Sequence, residues 1–215
     1  MWYNPGVTLT SDLTSDGPDG PASGESSLPV GVAPRRASPL AVGVVVWLAS
    51  EVMFFGGLFA TYFTLRSVNK NDWPPAGVEL NIPRAVLFTI VLVASSVTMH
   101  FSVVAADHRD RRRSLRWLFA TFLLGAAFLV NLGLEWSGND FTLTDHAYGS
   151  IYYILTGFHG LHLLGGLVLM VAAAVAVSGT DSHVPLGPTF TVSAYYWHFV
   201  DAVWIGVFVT IFLVQ

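Results

Sequence analysis

From about residue 40 onward the chain alternates between long apolar stretches and short polar breaks. The stretches cover about 40–65, 84–106, 114–135, 150–177 and 190–215. Each runs about 20 residues or more, enough for an α-helix rising about 1.5 Å per residue to cross a hydrocarbon layer of about 30 Å. The breaks carry turn formers: Asn71-Asp72-Trp73-Pro74-Pro75, the run from Asp107 to Arg113, Ser137-Gly138-Asn139-Asp140, and Gly179 through Pro188. Only a few residues part the second stretch from the third, so these two are expected to pair as an antiparallel hairpin. No internal repeat is visible. The pattern predicts an all-α membrane protein, a five-transmembrane-helix bundle occupying 39–215.

Residues 1–38 break this pattern. They are rich in Gly, Pro, Ser, Asp and Thr and carry the acids Asp12, Asp16, Asp19 and Glu25. Such a composition buries too little apolar surface to offset its ordering entropy, so a disordered acidic cytoplasmic tail is expected. The basic n-region and apolar h-region of a signal peptide are both lacking, and the tail is expected to be retained.

Composition agrees with the membrane reading. Charged residues make up 11% of the chain, against about 25% in a soluble domain. The ten basic residues also set an orientation. Arg35, Arg36, Arg109, Arg111, Arg112, Arg113 and Arg116 fall by parity on one side, and Arg66, Lys70 and Arg84 on the other. The positive-inside rule then predicts a cytoplasmic N-terminus and an outside C-terminus. With no cysteine, disulfides, iron–sulfur clusters, a thiolate-bridged copper centre and thioether-attached haem are excluded. A net charge of −4 offers no footprint for nucleic acid.

Ionisable groups inside a bilayer are costly and therefore informative. Glu51 lies roughly 17 Å into the first span. His159 and His162 share a face of the fourth span at i, i+3, as do His198 and Asp201 in the fifth. Glu51, His162, His198 and Asp201, four groups on three helices, are expected to share the middle of the membrane. Two readings follow for the histidines and Asp201. One is a metal or haem site, since imidazole and carboxylate are valid ligands. The other, which the spacing favours, is interhelical hydrogen bonding, with Asp201 pairing to His198 or a neighbouring donor. Burial favours the neutral acid at Glu51 unless a cation or several donors hold its charge, which leaves packing, proton handling and lipid-headgroup contact open.

Other polar and aromatic features carry plainer expectations. Trp47, Phe54, Phe55, Phe59 and Tyr62 are expected to face lipid or pack. Gly56-Gly57, Gly157, Gly160 and Gly165-Gly166 are expected to admit close helix approach. Trp73, Trp117 and Trp136 sit where indoles anchor at headgroups. The arginine run 109–116 is a topology signal suited to anionic lipid. His100, His108, His146 and His183 are assigned no chemistry.

Literal strings go beyond composition. Ser50-Glu51-Val52-Met53-Phe54-Phe55-Gly56, Trp73-Pro74-Pro75-Ala76-Gly77-Val78, Asp145-His146-Ala147-Tyr148-Gly149-Ser150, Thr156-Gly157-Phe158-His159-Gly160-Leu161-His162 and Tyr196-Trp197-His198-Phe199-Val200-Asp201-Ala202-Val203-Trp204 occur in this order over about 40–215. In these strings the chain resembles subunit III of the haem–copper oxidases, in its short five-helix bacterial form. The resemblance implies a multi-pass subunit of the bacterial plasma membrane with no redox centre, metal or cofactor of its own. Haem and copper are then expected on partner subunits I and II. It further implies support of complex integrity, phospholipid binding and sustained proton uptake by subunit I. A small subunit IV and a supercomplex with a quinol–cytochrome c reductase are compatible additions. By match, Glu51 is the family's buried carbodiimide-reactive acid, and His159, His162, His198 and Asp201 are buried polar positions without a catalytic role.

The chain departs from long members in lacking their first two helices, which leaves one wall of the family's lipid cleft to another subunit or absent. Thr98-Met99-His100-Phe101-Ser102-Val103-Val104 lacks the paired histidines of some long forms. The short architecture recurs in quinol oxidases and in a nitric-oxide-reductase accessory protein. Glu51, Trp73-Pro74-Pro75 and Gly157-Phe158-His159 favour the cytochrome c branch. Two readings from other classes compete: an autonomous membrane metal site on the histidines, and a proton-coupled transporter with Glu51 as carrier. Against the second stands the lack of the paired repeats common in transporters.

Overall fold

Five helices long and apolar enough to cross a membrane account for almost all of the described chain. The computed structural model describes residues 39–78, 80–179 and 184–214. The expected tail at 1–38 lies outside them. The helices are α1 (Pro39–Val68), α2 (Ile82–Asp107), α3 (Arg111–Gly138), α4 (Ala147–Ser178) and α5 (Leu186–Phe208), the last continued by a π-helical turn, Val209–Leu213. No strand occurs among the described residues. Each of the first four helices outruns its apolar stretch, because turns beyond the hydrocarbon layer still satisfy their own backbone. α5 starts four residues before the expected 190, at Leu186.

Local chemistry explains the ends. Asn81 caps α2 by accepting the Arg84 amide at 3.1 Å, with Pro83 in the first turn, where a missing N–H costs nothing. Asp110 caps α3 by accepting the Arg113 amide at 3.0 Å. Between α2 and α3 the chain turns in three residues. Arg109 takes a left-handed φ of 57°, its amide bonds Ala106, and the Asp110 amide reaches back to Ala105. This is a Schellman stop with arginine where glycine is usual. His146, expected to have no chemistry, caps α4: its Nδ1 accepts the Gly149 amide at 2.7 Å.

Side-chain pairs fix the register. Trp204 and Trp197 of α5 bond Thr89 and Ser95 of α2, so these helices run antiparallel. Trp136 of α3 bonds Thr156 of α4, and a Cβ on Gly160 would press on Leu132, which makes α3 and α4 antiparallel as well. α1 runs beside α5 in the same direction: Trp47 stacks on Tyr196, and Phe59 lies against Gly206. The hairpin of α2 and α3 is the most extensive contact, and α1 touches only α4 and α5 extensively. α1 is accordingly the least buried span. Phe55 and Tyr62 are buried while Trp47 and Phe54 remain exposed.

Trp197 is fully buried at the centre of the bundle. A Cβ on Gly125 of α3 would stand 2.5 Å from its ring, and one on Gly166 of α4 would stand 2.9 Å away. Two glycines thus clear a slot for an indole whose Nε1 donates to Ser95 at 2.9 Å. Gly157, Gly160 and Gly165 also face close neighbours, as expected. Gly56 and Gly57 do not: nothing approaches within 4 Å of a Cβ at either. The expectation of close approach there is corrected, because both lie on the exposed face of α1, while Phe55 and Phe59 on its other face meet α4 and α5.

Candidate functional site

The five polar residues singled out from sequence fall into three separate environments. In the first, Glu51 of α1 meets His162 of α4, with Oε2 3.0 Å from Nε2. The other imidazole nitrogen, Nδ1, lies 2.7 Å from the Phe158 carbonyl oxygen. A carbonyl only accepts, so Nδ1 carries a hydrogen. One proton then lies between Nε2 and Oε2, making the pair either neutral acid with neutral imidazole or carboxylate with imidazolium. The net charge of the pair is zero in both states. Phe54 and Phe55 flank the imidazole, with Phe55 edge-on at 5.0 Å, and Tyr196 donates to the His162 carbonyl at 2.9 Å. Both Glu51 and His162 retain partial exposure on the outer surface of the bundle. No cation local in sequence supports Glu51; its partner arrives from another helix, 111 residues on.

The second environment joins α5 to α2. Ser96 donates its hydroxyl hydrogen to Asp201 Oδ2, and its oxygen lies 2.9 Å from His198 Nδ1. A hydroxyl has one hydrogen, so His198 Nδ1 donates to Ser96. The order is imidazole to hydroxyl to carboxylate. His198 and Asp201 therefore meet through a neighbouring donor, and Ser96 is the residue that the sequence reading missed. Its only signal was Ser95-Ser96, two adjacent hydroxyls within the second span. Asp201 Oδ1 is buried without a hydrogen-bond partner.

The third is His159, fully buried, with neither ring nitrogen hydrogen-bonded. It packs against Trp204 at 5.0 Å and edge-on to Phe128 at 6.1 Å. Although His159 and His162 share a face, they do not share partners. Among the described residues no three His, Asp or Glu side chains come close enough together to hold a metal ion.

A fourth polar group lies toward the other end of α3. Arg84 donates its Nε hydrogen to Asn131 at 2.6 Å, and Glu135, one turn further along α3, is buried beside it with Tyr152 at 3.5 Å. Position at a span end hid Glu135, where an acid ordinarily meets water. The i, i+4 relation of Asn131 and Glu135 was the available signal.

Beyond the spans, Trp73 packs edge-on to Tyr62 and Tyr148, and its Nε1 donates to Tyr62 at 3.2 Å. Asp145, in the α3–α4 loop, accepts the Thr142 amide at 2.7 Å. That backbone bond, helped by the Thr142 side chain and nearby His146, holds its carboxyl below the usual range.

The family model described as cytochrome c oxidase subunit III matches residues 31–215. The chain belongs to that family. The subunit III family is the accessory subunit of haem–copper oxidases, in agreement with the resemblance carried by the five ordered strings. The chain is 44% identical over 184 residues to a probable cytochrome c oxidase subunit 3 of Nocardia farcinica, covering 84% of this chain and 91% of that protein. A probable cytochrome c oxidase subunit 3 of Mycobacterium tuberculosis is 42% identical over 185 residues, with coverage of 84% and 91%. Cytochrome c oxidase subunit 3 of Synechocystis is 35% identical over 210 residues, covering 96% of this chain and 86% of that protein. Five membrane-spanning helices and this membership make the chain a multi-pass membrane subunit of an oxidase complex.

Proposed function

We propose that the chain is the non-redox subunit III of a proton-pumping cytochrome c oxidase in the bacterial plasma membrane, acting through packing, phospholipid contact and protection of sustained turnover. The observation that carries this reading is the pairing of its intramembrane polar groups. Glu51 with His162, and His198 with Ser96 and Asp201, pair with one another across helix seams instead of converging on an open coordination site. Haem and copper belong in this reading to subunits I and II, a small subunit IV completes the complex, and association with a quinol–cytochrome c reductase is a further level of assembly. That the relatives are named cytochrome c oxidase subunit 3 favours cytochrome c over quinol as donor.

Glu51 and His162 supply the functional surface. They form a proton-sharing pair of zero net charge at mid-depth, partly exposed where α1 leans on α4. A lipid headgroup or a subunit I side chain can approach them without meeting an isolated charge. The test is to tag the chain in its native membrane, solubilise it gently and record the reduced-minus-oxidised spectrum of what co-purifies. An a-type haem band with no stoichiometric metal on the chain itself is expected. Only b-type haem would move the assignment to a quinol oxidase or related reductase, and absence of haem with tightly held metal would overturn it.

A further inference from the structure

The arginine run has no role in the reading above, yet it lines a cavity of about 580 Å³ against the first turns of α3, formed by Asp110, Arg112, Arg113, Arg116, Trp117 and Ala120. Arg112, Arg113 and Arg116 share one helical face at i, i+3 and i, i+4 spacing, and all three are exposed. Among the described residues, no carboxylate lies within 4 Å of these guanidinium groups. Asp110, the acid on the rim, has Oδ1 committed to the Arg113 amide as the helix cap. Like charges one turn apart repel, and an anion entering between them relieves the repulsion. Guanidinium forks match phosphate oxygens in planar, bidentate geometry.

What lies below the charges selects the anion. Trp117 and Ala120 form the floor inside the span, and Trp117 packs against Phe101 of α2 at 5.1 Å. Val97, Phe101 and Val104 continue along α2 as an exposed apolar strip. A free phosphate would use the arginines and leave this strip bare, whereas a phospholipid occupies both. An indole at this level is the usual neighbour of a glycerol backbone. We propose that Arg112, Arg113 and Arg116 hold the phosphodiester of one anionic phospholipid, with an acyl chain on the Trp117–Phe101 surface. This site lies on the hairpin of α2 and α3, apart from the Glu51–His162 surface, and depends on the proposed function only for the complex in which it is tested.

The test uses the purified oxidase complex carrying the full chain, reconstituted in nanodiscs of phosphatidylcholine doped with phosphatidylglycerol. Phosphatidylglycerol retained through a delipidating wash is counted by native mass spectrometry. R112Q/R116Q is compared with R109Q/R111Q, which removes equal charge from the connection and first residue of α3 but lies outside the cavity lining. Retention of one equivalent is expected to fall about tenfold in the first variant and to hold in the second. Equal loss in both would reduce the site to diffuse surface charge and overturn the proposal, as would no loss in either. Displacement of the lipid from the wild type by millimolar inorganic phosphate would reassign the cavity to a free anion. If R112Q/R116Q fails to assemble, R112Q alone carries the same comparison. A complex without haem defeats the proposed function while leaving the lipid count readable.

Discussion

Glu51 and His162 lie 3.0 Å apart across the seam between α1 and α4, and the Phe158 carbonyl leaves a single proton for the two of them. The pair can therefore change from neutral to zwitterionic without proton uptake from outside. An acid placed this way is held by a partner that can take its proton and return it.

Glu51→Gln keeps the neutral arrangement, because an amide N–H can donate to His162 Nε2 while Nδ1 stays on Phe158. Complex yield and initial oxygen consumption are expected to stay near wild type, with a shorter turnover lifetime in long progress curves. A large fall in the initial rate at normal haem content would show direct participation in proton delivery. His162→Leu, by contrast, leaves Glu51 without its acceptor and is expected to lower thermal stability by about 1–3 kcal/mol.

Ser96→Ala removes the one group that His198 and Asp201 have in common. Its expected cost is about 1–3 kcal/mol, since the buried Asp201 carboxyl loses its hydrogen-bond donor, while the exposed His198 can turn to another partner. His198→Leu is expected to cost less, because Asp201 keeps the Ser96 hydroxyl. Thermal unfolding of the detergent-solubilised complex ranks the two variants; the reverse order would show that His198 acts on Asp201 without the serine.

Gly125→Ala and Gly166→Ala each drive a methyl into the Trp197 ring, and overpacking of this kind costs about 1–3 kcal/mol. Gly56→Ala and Gly57→Ala meet open space and are expected to be neutral in the same melting assay. Trp197→Phe should rescue part of the Gly125→Ala loss while giving up the bond to Ser95.

Asp145 carries the one pH dependence tied to the loop before α4. Its folded carboxyl is held below the usual range, so the stabilisation it supplies is complete above the unfolded value of about 3.9. That stabilisation is lost as pH falls through the lower folded value. Protection of the Thr142 amide against hydrogen exchange, relative to its intrinsic rate at each pH, should therefore fall on the acid side in wild type. Asp145→Asn should flatten the profile.

The five spans were legible because a bilayer imposes one rule, about 20 apolar residues in a row, which any sequence must obey openly. The register between spans was less legible. His159 and His162 differ by one turn, yet one lies among aromatic rings and the other meets a carboxylate, and the difference resides in helix rotation. Ser96 and Gly125 escaped notice for a related reason. A hydroxyl or a glycine in an apolar span is unremarkable until the opposite helix supplies the imidazole or the indole that needs it. His146 was passed over because histidine is an uncommon cap, and its Nδ1 can serve only when the ring turns back onto Gly149.

The long separation between Glu51 and His162 has a consequence for how the subunit is made. α1 emerges from the ribosome first and α4 only after two further spans, so Glu51 enters the membrane well before the imidazole that will share its proton. During that interval the side chain has to cross as an uncharged acid, or shelter in the insertion machinery. A chain halted before α4 would present a solitary carboxyl to lipid. The pair can close only after α4 has followed α1, α2 and α3 into the membrane, so the order of synthesis fixes how long the acid waits for its imidazole.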